Sequence, residues 1–364
     1  MRCVQLARDG LNAPTSMGHF MLYSLQALRA FAAWVVVCHH FMQIFFDFHP
    51  SGPIGRFFTE RGAVGVDIFF VISGLVIYLS TRDKPMAPQR FMLLRVLRIV
   101  PAYWFYTGLM ALLLFSASRW MPHQVFDWQH LALSLLFIPA ENPGGYGLYP
   151  TLNVGWTLNF EMFFYLLFSL VFLVRQRLHL VLVGVALLIV SEGLARAGLL
   201  SRFYSNDIIY EFLLGIGIGV LYQRGLIRQG LWWPLAVLGA ACWAIYHFDA
   251  SQRLVHWGLP SALVVLAFIG LERYFKGSQL LKALGDCSYS VYLIHVLVLW
   301  SGWFVSQRFG IDPYLTFAAC VPLIGAASWL SYRWLECGVY RRSKAWCEAR
   351  LQPGAELVLS RVKY

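Results

Sequence analysis

Charged residues are scarce in this chain. Only 13% of its 364 residues are Asp, Glu, Lys or Arg, whereas a soluble domain averages about 25%. Hydrophobic residues make up 59% of the chain, and the mean hydropathy is +0.60. This composition excludes an ordinary soluble protein and indicates an integral membrane protein with several spans.

Other familiar signals are also missing. The seven cysteines form no CxxC pair, so we expect free thiols and no metal site. Residues 1–19 lack the apolar region and cleavage site of a signal peptide, and Met21 is an alternative start. We found no internal repeat and no separate soluble domain. We therefore expect a cytoplasmic extension at 1–19, one membrane domain at 20–341 and a cytoplasmic tail at 342–364.

Apolar segments divide most of the chain. Most are close to the roughly 20 residues that cross a bilayer as a helix, and a shorter stretch at 129–138 indicates an interfacial or re-entrant helix. The predicted fold class is an all-α integral membrane protein with about ten transmembrane helices. The ten segments are 20–46, 63–80, 98–117, 153–174, 178–198, 207–223, 231–248, 254–271, 285–306 and 314–335.

Lysines and arginines are unevenly distributed between the two sets of loops. With a cytoplasmic N-terminus, the inner side carries 21 of them and the outer side seven. Cytoplasmic loops are enriched in basic residues, so both termini are predicted to be cytoplasmic. The net charge of +11 is then mainly an orientation signal, and such dispersed basic residues do not indicate nucleic-acid binding.

The first apolar segment contains Arg29 and His40. They are 11 residues apart, which is about 20° more than three helical turns, so both lie on one helix face, roughly 16 Å apart. Ionisable side chains within a bilayer usually face a protein interior or a water-filled cavity. His39 lies on a different face and is expected to face a neighbouring helix or the membrane interface. A lone membrane histidine is often only a packing residue, but two ionisable groups on one face indicate a polar cavity.

Two carboxylates occur at related depths in other segments. Asp67 lies near the outer end of the second segment, and Glu161 lies deeper in the fourth. Either one is placed to orient the imidazole of His40. The structural alternatives are a cap or salt bridge for Asp67 and a hydrogen bond to a neighbouring helix for Glu161.

Further polar groups appear in the ninth segment and in the second inner loop. Ser288, Tyr292 and His295 share one helix face and form either part of a cavity or a polar seam between helices. Arg95 and Arg98 are neighbours at i and i+3. They are either a positive-inside signal or an anion site, because guanidinium groups pair well with phosphates.

Six motifs in order resemble the acyltransferase 3 family of integral-membrane O-acyltransferases. The resemblance covers about residues 20–341, and within the family it is nearest to O-acetyltransferases of bacterial surface polysaccharides and exopolysaccharides. The motifs are LRAFAAWVVVCHH, with an Arg-x10-His spacing; GVDIFFVISGLVI; RVLRIVPAYW; NVGWTLNFEMFFY, which includes Trp156; SYSVYLIH; and WLECGVY, where Gly338 stands in place of a frequent proline.

The resemblance implies transfer of an acyl group, usually acetyl, from cytoplasmic acyl-CoA to a hydroxyl. The acceptor would be a glycan or glycolipid, and small-molecule acceptors also occur among relatives. It further implies a multi-pass protein of the bacterial inner membrane that works beside other polysaccharide-biosynthesis proteins. Acyl-CoA would be a co-substrate, with no bound cofactor. Trp156 would lie in or beside the cavity.

This chemistry suggests a mechanism. The CoA phosphates would bind Arg95 and Arg98, and Arg29 would lie deeper along the pantetheine arm. His40 would act as general base on the acceptor hydroxyl or, alternatively, carry the acyl group. A transporter or flippase of a glycolipid or small polar solute would also need buried ionisable groups, and a non-catalytic scaffold would tolerate their replacement.

Overall fold

The computed structural model describes residues 22–81, 86–117, 121, 123–174 and 179–351. These residues form helices and loops, with no strand among them. The α-helices are α1 Tyr23–Phe46, α2 Pro53–Arg61, α3 Val64–Thr81, α4 Pro88–Ala117, α5 Trp128–Leu135, α6 Trp156–Leu170, α7 His179–Leu188, α8 Glu211–Gln223, α9 Trp232–His247, α10 Leu259–Gly270, α11 Glu272–Phe275, α12 Gln279–Asp286, α13 Ser288–Phe309, α14 Pro313–Ser331 and α15 Tyr340–Leu351.

The all-helical fold class is confirmed. Six helical stretches of the described residues are long and apolar enough to cross a membrane. Shorter helices occupy the other four predicted segments. A π-helical turn follows one of them at Ile189–Ala195, and another precedes α10 at Leu254–Gly258. Ten spans and cytoplasmic termini stay predictions. The six stretches are Tyr23–Phe46, Pro53–Thr81, Pro88–Ala117, Asn153–Leu173, Ser288–Phe309 and Pro313–Cys347.

The second inner loop is corrected by the structure. The sequence placed Arg95 in a loop, but α4 begins at Pro88 and contains Arg95. The basic stretch is therefore helical, and this places Arg95 and Arg98 one turn apart on one helix. Residues 1–21 and 352–364, which include the predicted extension and most of the predicted tail, lie outside the described residues.

The short segment predicted at 129–138 is helix α5. Asp127 caps it by accepting a hydrogen bond of 2.6 Å from the backbone of His130. Tyr103 and Trp104 of α4 donate to carbonyls at its end, Ser134 at 3.0 Å and Leu135 at 2.8 Å. With eight residues this helix is too short to span a bilayer, and it is held against α4.

Helix α1 lies between α3, α12 and α13. Its first backbone N–H groups are capped from a distance, because Glu272 accepts from Tyr23 at 2.9 Å and Ser24 at 2.8 Å. Glycines permit close backbone approach on two sides: a Cβ on Gly65 or Gly285 would collide with backbone oxygens of α1. Small residues allow membrane helices to pack closely, so the helix that carries Arg29 and His40 is fixed on several sides.

Candidate active site

A cavity lies between α1, α3, α4, α6 and α13. It encloses about 870 Å³ of empty space, part of it open to solvent. Its lining along α3 runs from Val66 to Ile77, which is about 16 Å of helix. The cavity is therefore long as well as polar. Its polar lining residues are Arg29, Ser73, Arg95, Arg98, Thr157, Glu161, Tyr165, Tyr289 and Tyr292.

Three arginines reach the cavity from two helices. The Arg95 Nη2 atom donates to Ser80 at 3.0 Å, and its guanidinium lies 5.4 Å from the ring centroid of Tyr165. Arg29 and Arg98 form no hydrogen bond or ion pair with any residue that the structure describes. The structure thus brings together the three arginines singled out in the sequence, two of them without a bonded partner. Their role in binding stays a prediction.

Glu161 of α6 is the acidic residue in this lining. The hydroxyl of Tyr165 donates to it from one turn along the helix, and Ser73 of α3 donates at 3.3 Å. Its charge acts on all three arginines. Among the described residues its hydrogen bonds come from Tyr165 and Ser73 and not from His40, and its role in orienting His40 stays a prediction. The alternative of a bond to a neighbouring helix is what the structure contains.

His40 pairs with His295, which lies 255 positions away in the chain. His295 Nε2 is 3.1 Å from His40 Nδ1, and the ring centroids are 4.9 Å apart. His295 is fully buried. His39 points elsewhere, with Nδ1 at 2.9 Å from the carbonyl oxygen of Phe58 at the end of α2. The sequence-based distinction between the two adjacent histidines therefore agrees with their different surroundings.

Tyr292 connects the cavity with the histidine pair. Its ring centroid is 6.0 Å from that of Phe69 and 6.0 Å from that of His295, and both Tyr292 and Phe69 line the cavity. Its hydroxyl bonds to Thr157 Oγ1 and to the carbonyl of Val154, each at 2.9 Å. The histidine pair therefore lies beside this end of the cavity, one side chain beyond its lining.

Asp67 lies in a different cluster from the one predicted. Arg253 binds both of its carboxylate oxygens at 2.9 Å, and the Arg253 guanidinium lies 5.9 Å from the ring centroid of Trp156. Glu211 is fully buried beside this pair. This corrects the prediction that Asp67 orients His40, because a bidentate ion pair already occupies the carboxylate. Trp156 belongs to this cluster and is absent from the cavity lining.

Glu336 was not among the predicted site residues, although it belongs to the motif WLECGVY. Ser290 donates to its carboxylate at 2.5 Å and also bonds to Ser331 at 2.7 Å. The charge of Glu336 acts on the two unpaired arginines of the cavity.

Ser288 is buried, and its hydroxyl has no partner among the described residues. Within the same residues, no group of His, Cys, Asp and Glu has the arrangement of a metal site.

The chain is similar to one protein family and to two known proteins. A family model described as an acyltransferase domain matches residues 22–333. The exopolysaccharide production protein ExoZ of Rhizobium meliloti (strain 1021) is 33% identical over 315 residues, covering 82% of this chain and 95% of ExoZ. Acyltransferase MdmB of Streptomyces mycarofaciens is 27% identical over 314 residues, covering 76% and 79%. No solved structure matches significantly.

Proposed function

Because this chain belongs to the acyltransferase 3 family, as its motifs predicted, we propose a specific reaction for it. The chain is an O-acyltransferase with several apolar helices of membrane-spanning length. In our proposal it moves an acyl group, most simply acetyl, from cytoplasmic acyl-CoA to a hydroxyl of a surface glycan or exopolysaccharide precursor. Its location would be the bacterial inner membrane, beside other polysaccharide-biosynthesis proteins.

The observation that carries the proposal is the cationic cavity. Acyl-CoA has an anionic nucleotide end and a long, thin pantetheine arm with a thioester at its tip. Arg29 and Arg98 supply two cations that have no bonded partner in the described part of the chain, and Arg95 adds a third. Guanidinium groups bind phosphates through paired hydrogen bonds. The extent of the lining along α3, about 16 Å, suits the arm.

The chemical step requires a base near the thioester. In our proposal, His40 takes the proton of the acceptor hydroxyl while the hydroxyl oxygen attacks the thioester carbonyl. The carbon–sulfur bond breaks, the thiolate of CoA leaves, and the proton passes from His40 to that thiolate. The products are an ester and free CoA. Apolar residues around the cavity limit the access of water and thereby protect the thioester from hydrolysis.

The choice of acceptor is supported by similarity to the exopolysaccharide production protein ExoZ. The second relative is described only as an acyltransferase, so a small hydroxylated molecule is the other acceptor class to test. A glycolipid transporter, the alternative raised by the sequence, has no observation in its favour beyond the buried charges, which the acyl-CoA proposal already uses.

The proposal is tested by the acetyl content of surface polysaccharide, measured by proton NMR. A deletion strain would be complemented with wild type, His40→Ala or the adjacent His39→Ala, with matched protein levels in the membrane. We expect wild type and His39→Ala to restore the acetyl signals and His40→Ala to leave them absent. Full restoration by His40→Ala would contradict the assigned base. Unchanged acetyl content in the deletion strain would contradict the polysaccharide acceptor.

A further inference from the structure

The hydrogen bonds around His295 assign its tautomer. Its Nδ1 atom is 3.0 Å from the carbonyl oxygen of Val291, one turn earlier on α13. A carbonyl oxygen only accepts, so Nδ1 carries the hydrogen, and Nε2 of the neutral ring is left as an acceptor. That acceptor lies 3.1 Å from His40 Nδ1.

The same reasoning applies to His40. Its Nδ1 atom faces two acceptors, the Val36 carbonyl oxygen at 3.0 Å and His295 Nε2 at 3.1 Å. Nδ1 therefore carries the hydrogen and donates it to both. In a neutral imidazole the second nitrogen then has a free lone pair. His40 Nε2 is thus the basic atom, on the side of the ring away from His295.

We propose that His295 is a positioning residue that holds His40 in the Nδ1–H tautomer, with Nε2 free to act as the base. This inference rests on the proposed function, because it assigns an atom and a support to the base named there. When His40 Nε2 accepts the proton of the acceptor hydroxyl, the positive charge is shared through Nδ1–H with His295 and the Val36 carbonyl. The proton then leaves from Nε2 to the CoA thiolate, and the neutral pair is restored.

A neutral imidazole suits this place better than a carboxylate does. A carboxylate beside His40 would be a permanent charge in an apolar helix bundle, and such charges are costly in a membrane. The two acidic residues predicted for this task are held elsewhere, Glu161 by Tyr165 and Ser73 and Asp67 by Arg253. His295 itself is held in place by complete burial and its bond to Val291.

The kinetic test compares His295→Leu with His295→Gln in the intact protein, assayed by transfer of labelled acetyl from acetyl-CoA to polysaccharide of the deletion strain. Leu removes the acceptor, whereas the Gln amide oxygen is able to take the place of Nε2. We expect kcat to fall about 100-fold in His295→Leu, within the range of acid–base contributions, with KM for acetyl-CoA unchanged. His295→Gln should recover most of the loss, and His39→Leu, the neighbouring control, should keep kcat.

The outcomes separate this inference from the proposed function. If wild type transfers no acetyl, or if His40→Ala transfers it normally, the proposed function fails. If His40→Ala is inactive but His295→Leu keeps the wild-type kcat, only the positioning role fails. Equal losses in the Leu and Gln variants, at full membrane levels, would also overturn it, because a merely structural role predicts no rescue by an acceptor.

A spectroscopic measurement on wild type avoids dependence on a folded variant at position 295. The protein would be labelled with 15N-histidine and studied in lipid by solid-state NMR, with the His40 signals identified by their loss in His40→Gln. We expect a protonated Nδ1 and an unprotonated Nε2 at His40. The opposite tautomer would contradict the proposal.

Discussion

At the scale of single residues, the unpaired arginines of the cavity have the clearest consequence for binding. Arg29 and Arg98 are cations with no bonded partner among the described residues, and the charge of Glu161 acts on them without a direct bond. Arg29 is half-buried and Arg98 is exposed, so a ligand is able to reach both guanidinium groups. Guanidinium groups pair well with phosphates, so we expect these two arginines to bind a negatively charged ligand.

Replacement of Arg98 by Gln tests this site. A hydrogen bond to a charged group contributes about 1.5–3 kcal/mol, so we expect KM for acetyl-CoA to rise about 10- to 100-fold with a smaller change in kcat. Initial rates over a range of acetyl-CoA concentrations measure this. Arg224→Gln is the control, because Arg224 is exposed and outside the cavity lining. An unchanged KM for acetyl-CoA in Arg98→Gln would show that Arg98 does not bind acyl-CoA.

Arg253 provides a second prediction, about stability. Arg253→Gln leaves Asp67 and Glu211 buried together without their cation. Removal of one partner of a buried ion pair costs about 3–5 kcal/mol, so we expect a clearly lower thermal unfolding midpoint in detergent. Arg253→Lys should fall between, because Lys lacks the paired donors. If the variant is as stable as wild type but inactive, this cluster acts in catalysis and not in stability.

The sequence predicted these residues better than it predicted their partners. Ionisable groups in apolar segments pointed to the cavity, and helical spacing separated His40 from His39. The pairing of His40 with His295 and of Asp67 with Arg253 could not be predicted, because each partner is 186 or more positions away in the chain. Glu211 stands inside the predicted segment 207–223, so the signal for it was present in the sequence.

At the scale of helices, the crossing of α3 and α8 depends on glycine. A Cβ on Gly215 would collide with the Val71 carbonyl oxygen, and one on Gly74 would collide with the Phe212 carbonyl oxygen. The two backbones therefore touch directly, in the manner of small-residue contacts between membrane helices. Because α3 also forms one wall of the cavity, this crossing supports the site.

Substitution of Gly215 by Ala tests the crossing. Extra atoms in a close-packed region typically cost 1–3 kcal/mol, and here the obstacle is backbone, so we expect lower membrane levels and a lower unfolding midpoint. Gly217→Ala on the same helix is the matched control, because its Cβ would meet nothing within 4 Å. Equal behaviour of the two variants would show that α3 and α8 are not in direct contact.

Helix positions followed from hydropathy, whereas helix ends did not. Each of the ten apolar segments contains a helix, but four of these helices are short, and α4 starts about ten residues before the predicted segment at 98–117. The hydropathy pattern missed the start of α4 because polar residues occur between 88 and 98. Arg95 faces the cavity that α4 forms with four other helices, and this arrangement is a property of the bundle.

At the scale of the whole molecule, orientation decides which side supplies acyl-CoA. The bias of basic residues predicts cytoplasmic termini, so Arg95 and Arg98 would lie toward the cytoplasm, where acyl-CoA is made. We expect green fluorescent protein to fluoresce when fused after Tyr364, and alkaline phosphatase to be active when inserted after Asp249. Active phosphatase at the C-terminus would contradict the predicted orientation, and with it the entry of acyl-CoA from the cytoplasm.

The most direct measurement of the central claim is acyl transfer by the purified protein. Wild type and His40→Ala would be placed in lipid nanodiscs with radiolabelled acetyl-CoA and unacetylated polysaccharide from the deletion strain, and label in the polysaccharide would be counted. The account predicts transfer by wild type that is abolished in His40→Ala at matched protein amounts. Equal transfer by both proteins would contradict the assigned base, and transfer by neither would contradict acetyl-CoA and this polysaccharide as the substrate pair.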